Sequence, residues 1–137
     1  MTRRTLIFAP LAAASAQAPA DVLDLLRDMA AALSEANAAA FLKPIDPAMK
    51  GFAQLAADVT ALVAQNEVAS SIEFVKDEGD ERVRRLELDW LFQIRAREQT
   101  GIFERRRNVV ECRLERRKNR WIVVSLEPLS FFSPPRP

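Results

Sequence analysis

The run "RVRRLELDWLFQIRARE", residues 82–98, places Leu86, Leu88, Trp90, Phe92, Ile94 and Ala96 at every second position, with Glu87, Asp89, Gln93 and Arg95 between them. Side chains of an extended chain alternate between faces, so this period predicts a long strand with one apolar and one charged face. The same period continues on both sides. Ile72 and Phe74 belong to an earlier strand that ends at the polar turn "KDEGDE" around Gly79, and Gln99-Thr100-Gly101 turns the chain after Glu98. In "FERRRNVVECRLERRKNRWIVV", residues 103–124, Val110, Cys112 and Leu114 share one face while Glu111, Arg113 and Glu115 share the other. Lys118-Asn119-Arg120 is expected to form a short hairpin loop. A three-residue loop sets Leu114 opposite Val124 and Cys112 opposite Leu126, which keeps one face apolar. A two-residue loop would bring Val123 and Ser125 to that face instead.

Before residue 68 the period is helical. Val22, Leu25, Leu26, Met29, Leu33 and Ala36 form one stripe, with Asp24, Arg27, Asp28 and Glu35 off it, and Asp21 is the expected N-cap. A short second helix is expected from Glu35 to about Leu42, capped by Ser34 and stopped by Pro44, because Pro44 and Pro47 forbid a continuous helix. A third runs from about Gly51 to Asn66, with Phe52, Leu55, Ala56, Val59, Leu62 and Val63 on its apolar side. Helices followed by a meander of strands give an α+β fold with a mainly four-stranded antiparallel sheet.

The chain has 137 residues, enough for one core. Its start, "MTRRTLIFAPLAAASAQAPAD", has two arginines, an apolar stretch from Leu6 to Ala14 and the small-x-small pattern Ala14-Ser15-Ala16. This predicts a secretory signal peptide over residues 1–16 with a cut before Gln17, and hence a periplasmic or secreted protein. The apolar stretch of about nine residues is too short to span a bilayer. "TRRTLIF" also fits a twin-arginine signal, so either export route is compatible with the sequence. A single domain then spans residues 17–132, followed by a loose tail at 133–137.

Removing residues 1–16 takes Arg3 and Arg4 from the 20 basic residues and leaves all 19 acidic ones, an excess of one negative charge. Arginine and glutamate alternate along the strands and would pair across them, and Trp121 is the one exposed aromatic expected beside them. A nucleic-acid groove needs excess positive charge and stacking aromatics, so none is expected. Cys112 is the only cysteine, so no internal disulfide can form, and it is expected to be a buried thiol. There is no histidine and no tyrosine, which excludes histidine triads, histidine metal sites and tyrosine oxyanion holes; no metal or cofactor is expected. If Val110 points inward, so do Asn108 and Arg106, where they could read a ligand. Arg106 could instead pair with Glu104 at the sheet edge.

The element order and the passage "LSEANAAAFLKPIDPAM", Leu33 to Met49, resemble the nuclear transport factor 2-like superfamily, also called SnoaL-like, which has a cystatin-like fold. The resemblance covers roughly Val22 to Phe132. It implies N-terminal helices packed in the concave face of a curved, cone-shaped sheet, with an internal pocket whose wall includes Phe41, Leu88, Trp90, Phe92 and Val110. It also implies a homodimer through the outer sheet face, where Leu91, Trp121 and Val123 are expected to form an apolar patch. Enzymes of the superfamily place an aspartate base and donors such as tyrosine in the pocket, a pattern this chain lacks, since Glu87 and Asp89 should point away. The function expected is therefore a non-catalytic exported module binding a small apolar ligand or a protein partner. The alternatives are an isomerase, lyase or hydrolase using an inward carboxylate such as Asp46 or Glu127, and a purely structural dimer.

Overall fold

The computed structural model describes residues 19–98 and 103–136. The expected signal peptide and its cut, the turn at residues 99–101 and the final Pro137 lie outside the described residues. Three helices, α1 (Ala20–Ser34), α2 (Ala38–Leu42) and α3 (Phe52–Gln65), precede four strands, β1 (Asn66–Gly79), β2 (Val83–Ala96), β3 (Phe103–Arg117) and β4 (Arg120–Glu127). A 3-10 helix, Leu129–Phe132, follows. The strands form one antiparallel meander in the order β1-β2-β3-β4, curved around the helices as a cone. Among the described residues no helix is long and apolar enough to cross a membrane.

Helix α1 buries Val22, Leu26, Met29 and Leu33 against the sheet, as its stripe requires. It begins two residues earlier than expected, after Pro19, whose carbonyl accepts from Val22 N at 3.0 Å; Asp21 sits in the first turn and does not cap. The second helix is also capped differently. Ala36 adopts a left-handed φ of 58°, which ends α1's trajectory, and Asn37 Oδ1 then accepts from Ala40 N at 3.0 Å. Ser34, expected as that cap, instead accepts from Ser70 N at 2.8 Å and donates to Ser70 O at 3.3 Å, tying α1 to β1.

Leu86, Leu88, Trp90, Phe92 and Ile94 of β2 are all buried and meet Val110, Cys112 and Leu114 of β3 on the concave face. Full burial of side chains of this size is worth about 1.5–3 kcal/mol each, so this row dominates the stability of the sheet.

Both edge strands carry a bulge. In β1, Phe74 pairs with Leu88 and Lys76 with Glu87, so Val75 is the extra residue. In β4, Leu114 pairs with Val123 and Arg113 with Ser125, so Val124 is extra. The turn before β4 is a two-residue one. Lys118 and Asn119 have φ of 51° and 69°, the left-handed pair of a type I′ turn, and Arg117 pairs with Arg120. The register expected from a three-residue loop is thus half correct: Cys112 does face Leu126, but Leu114 faces Val123. The bulge reconciles the two, letting Trp121, Val123 and Leu126 all enter the core. The outer edge of β4 is covered locally by the α2–α3 loop: Val123 N donates to Pro44 O and Asp46 N donates to Val123 O, each at 2.9 Å.

Candidate functional site

The concave face carries, at the side away from the β1–β2 and β3–β4 turns, a cluster of five aromatic rings. Phe41 comes from α2, Trp90 and Phe92 from β2, and Phe131 and Phe132 from the 3-10 helix. Phe131 stacks on Phe92 with centroids 4.6 Å apart and planes at 27°. Phe132 meets Trp90 edge-on at 5.0 Å and 86°, and Phe41 at 5.4 Å. Trp90 Nε1 donates to Ser70 Oγ at 3.0 Å, so the indole is polar-satisfied as well as packed.

The five expected wall residues, Phe41, Leu88, Trp90, Phe92 and Val110, are each 0% exposed. They lie in one buried core, in which the chain's own Phe131 and Phe132 pack against Phe41, Trp90 and Phe92. Sequence reading gave no role to these two phenylalanines. Their signal is a pair of adjacent aromatics directly after an edge strand, which a packed core would demand and a loose end would not.

Arg106 lies on the concave side, opposite Phe92. Its Nε donates to Glu104 Oε2 at 2.8 Å, the edge pairing considered from sequence. Its Nη1 also donates to Phe131 O and Ser133 O, each at 2.7 Å, which sequence could not show. These charge-assisted bonds fasten the 3-10 helix across the aromatic cluster. Asn108, opposite Trp90, is exposed at the rim. On α3's side, a Cβ at Gly51 would sit 2.6 Å from Leu129 Cδ1, and Gly51 has φ of 83°, so a glycine lets the helix start approach the same segment.

The hairpin end of the concave face is different. Arg84, 2% exposed, points inward beside Leu114 and forms an ion pair with Asp77. Asp77 reaches this face because the Val75 bulge reverses the alternation of β1. Among the described residues, Arg84 Nε and Trp121 Nε1 are buried without a hydrogen-bond partner. Trp121 is 5% exposed and Val123 0%, so these two do not form an outer patch with Leu91; the two-residue turn sends both inward. Leu91 stays half-buried on the outer face, where Val109 (45% exposed) is its apolar neighbour. Trp121 instead lines a cleft of about 500 Å³ with Leu25, Met29 and the α1 aspartates Asp21, Asp24 and Asp28.

The electrostatics favour ionised, anchored carboxylates. Backbone donation from Ala48, then Arg117, holds Asp46 below the usual carboxylate range, and Arg107 does the same for Asp89. Amides of Arg82 and Val83 lower Asp80. A general acid would need the opposite shift. Asp46 is bound by Arg117 at 2.8 Å outside the concave face, and Glu127 is exposed. Burial pushes the Cys112 thiol up to about 12, making it inert. Among the described residues no three His, Cys, Asp or Glu side chains come together to hold a metal.

No protein-family model matches the chain, and no curated protein matches it. Solved structures do. A candidate aromatic ring hydroxylase from Novosphingobium aromaticivorans superposes with a TM-score of 0.66 at 13% identity, over 80% of this chain and 89% of that one. A protein of unknown function with a cystatin-like fold from Nostoc punctiforme gives 0.59 at 12%, over 80% and 91%. A designed nuclear transport factor 2-like protein gives 0.56 at 12%, over 77% and 94%. The helices in the concave face, the strand order and these superpositions agree: the chain has the nuclear transport factor 2-like, cystatin-like fold.

Proposed function

We propose that the chain is an exported, non-catalytic binding module that takes a small apolar ligand at the aromatic end of its cone and works as a homodimer. The observation that carries this reading is the stack of Phe131 on Phe92. The concave wall already holds a flat aromatic ring there, supplied by a short segment outside the sheet. The carboxylates support a non-catalytic role. Asp77 is committed to Arg84, and Asp46, Asp80 and Asp89 are held ionised by their donors. For the dimer, the outer face offers Leu91 and Val109 beside the uncharged Ala69, Ser71 and Gln93, which replaces the patch expected from Trp121 and Val123.

Native mass spectrometry of the protein recovered from the exported fraction of its own host tests all three parts. The expected result is a dimer beginning at Gln17 with a co-purifying small molecule. An empty monomer that retains residues 1–16 would overturn the reading.

A further inference from the structure

We propose that Phe131, carried on the 3-10 helix Leu129–Phe132, is an intramolecular occupant of the ligand site, latched by Arg106, and that an aromatic carboxylate displaces its ring while Phe132 stays in the core. This rests on the binding-module reading above. Within the five-ring cluster, the Phe92–Phe131 contact is the one stacked pair; the others are tilted or edge-on, at interplanar angles of 48° to 89°. The stacked contact presents the face of the Phe92 ring, a surface on which another flat ring can pack in the same way.

The segment's attachment is equally specific. Strand pairing of β4 ends at Glu127 opposite Glu111. Within the segment, Phe131 N donates to Pro128 O and Ser133 N to Ser130 O. Among the described residues, its hydrogen bonds to the sheet are the two from Arg106 Nη1. Leaving the slot therefore exposes the Phe131 ring and frees Arg106 Nη1 at the same moment, while Glu104 keeps Nε. Arg106 is 17% exposed and within reach of solvent. What Phe131 vacates is a flat apolar slot with a guanidinium at its rim, the complement of an aromatic ring bearing a carboxylate. The two carbonyl oxygens of Phe131 and Ser133 occupy the place the carboxylate oxygens would take.

The latch lowers apparent affinity by keeping the competent state rare. Two probes of one shape, 2-naphthoate and 2-methylnaphthalene, separate the parts, with binding read by tryptophan fluorescence and the segment followed by hydrogen exchange. Wild-type protein is expected to bind 2-naphthoate about tenfold more tightly than 2-methylnaphthalene, with faster exchange at residues 129–133 in the complex. Arg106→Gln should lose that preference and bind 2-methylnaphthalene about tenfold more tightly than wild type, because the slot opens more often. Binding without faster exchange at 129–133 would overturn the displacement while leaving a binding module. Unchanged 2-methylnaphthalene affinity in Arg106→Gln would overturn the latch. Phe131→Ala opens the slot whatever the latch does. If that variant is folded by circular dichroism and binds neither probe, the interior is no ligand site and the underlying reading falls as well.

Discussion

Two arginines enter the concave face, one at each end, and the fold treats them in opposite ways. Arg84 is 2% exposed, is paired with the Asp77 carboxylate and has a buried Nε with no partner among the described residues. Arg106 is 17% exposed and divides its donors among Glu104 and two main-chain carbonyls. At the hairpin end the counter-charge is built into the sheet and cannot leave without unpairing β1. At the aromatic end part of the complement is a short segment outside the strand ladder. The difference is between a counter-charge held in the strand ladder and main-chain acceptors held outside it, and the proposed latch rests on the second.

The sharpest attack on this contrast is at the aromatic end. Phe132→Ala should destabilise the protein by about 3–5 kcal/mol in denaturant unfolding, because Phe132 is 0% exposed and touches Phe41, Trp90 and Phe92. A loss below about 1 kcal/mol would mean that the segment is not part of the packed core. At the hairpin end, Asp77→Ala should cost about 3 kcal/mol, since it strips Arg84 of its carboxylate, and adding Arg84→Met should recover most of the loss. Failure to recover would show that the pair organises β1 beyond its own charge balance.

Trp121→Phe is expected to change stability by less than about 1 kcal/mol, because the donor it removes has no acceptor among the described residues while the lost ring area is small. A larger loss would indicate a bound water or ligand on Nε1. The smallest effect is acid sensitivity. Asp46 has a folded pKa below its ordinary value, so its contribution is present above about pH 4 and fades as pH falls through the lowered folded value. Asp46→Asn should therefore flatten the acid limb of a stability-against-pH curve by lowering stability slightly at neutral pH while leaving it nearly unchanged below the folded pKa. An unchanged acid limb would remove the Asp46–Arg117 contact from the account.

The elements themselves were legible because periods of two and near four separate within two residues of the true boundary between Gln65 and Asn66. The wall residues of β2 followed from one unbroken alternation. What the sequence concealed were the places where alternation changes phase. Valines occupy both bulges, and nothing in that residue type marks an extra position. The Val75 bulge turns Asp77 inward; without it, parity with Phe74 would have placed that carboxylate outside. Arg84 was within reach of the same reasoning, since it shares parity with Leu86. The tight turn was hidden because Lys118 is an unusual residue for a left-handed φ. That one misjudged loop put Trp121 and Val123 on the wrong face. The latch of Arg106 was not legible at all, since its acceptors are main-chain oxygens.

The Val124 bulge has a consequence for comparing this chain with others by alignment. Leu114 faces Val123 and Arg113 faces Ser125, so a chain lacking residue 124 would keep every remaining partner and every inward side chain of β4. Two such chains, identical in core, would differ in length inside a strand, where gaps are ordinarily refused. An alignment that avoided the gap would slide Leu126 and the two phenylalanines beyond it out of phase with their counterparts, erasing the aromatic end from view.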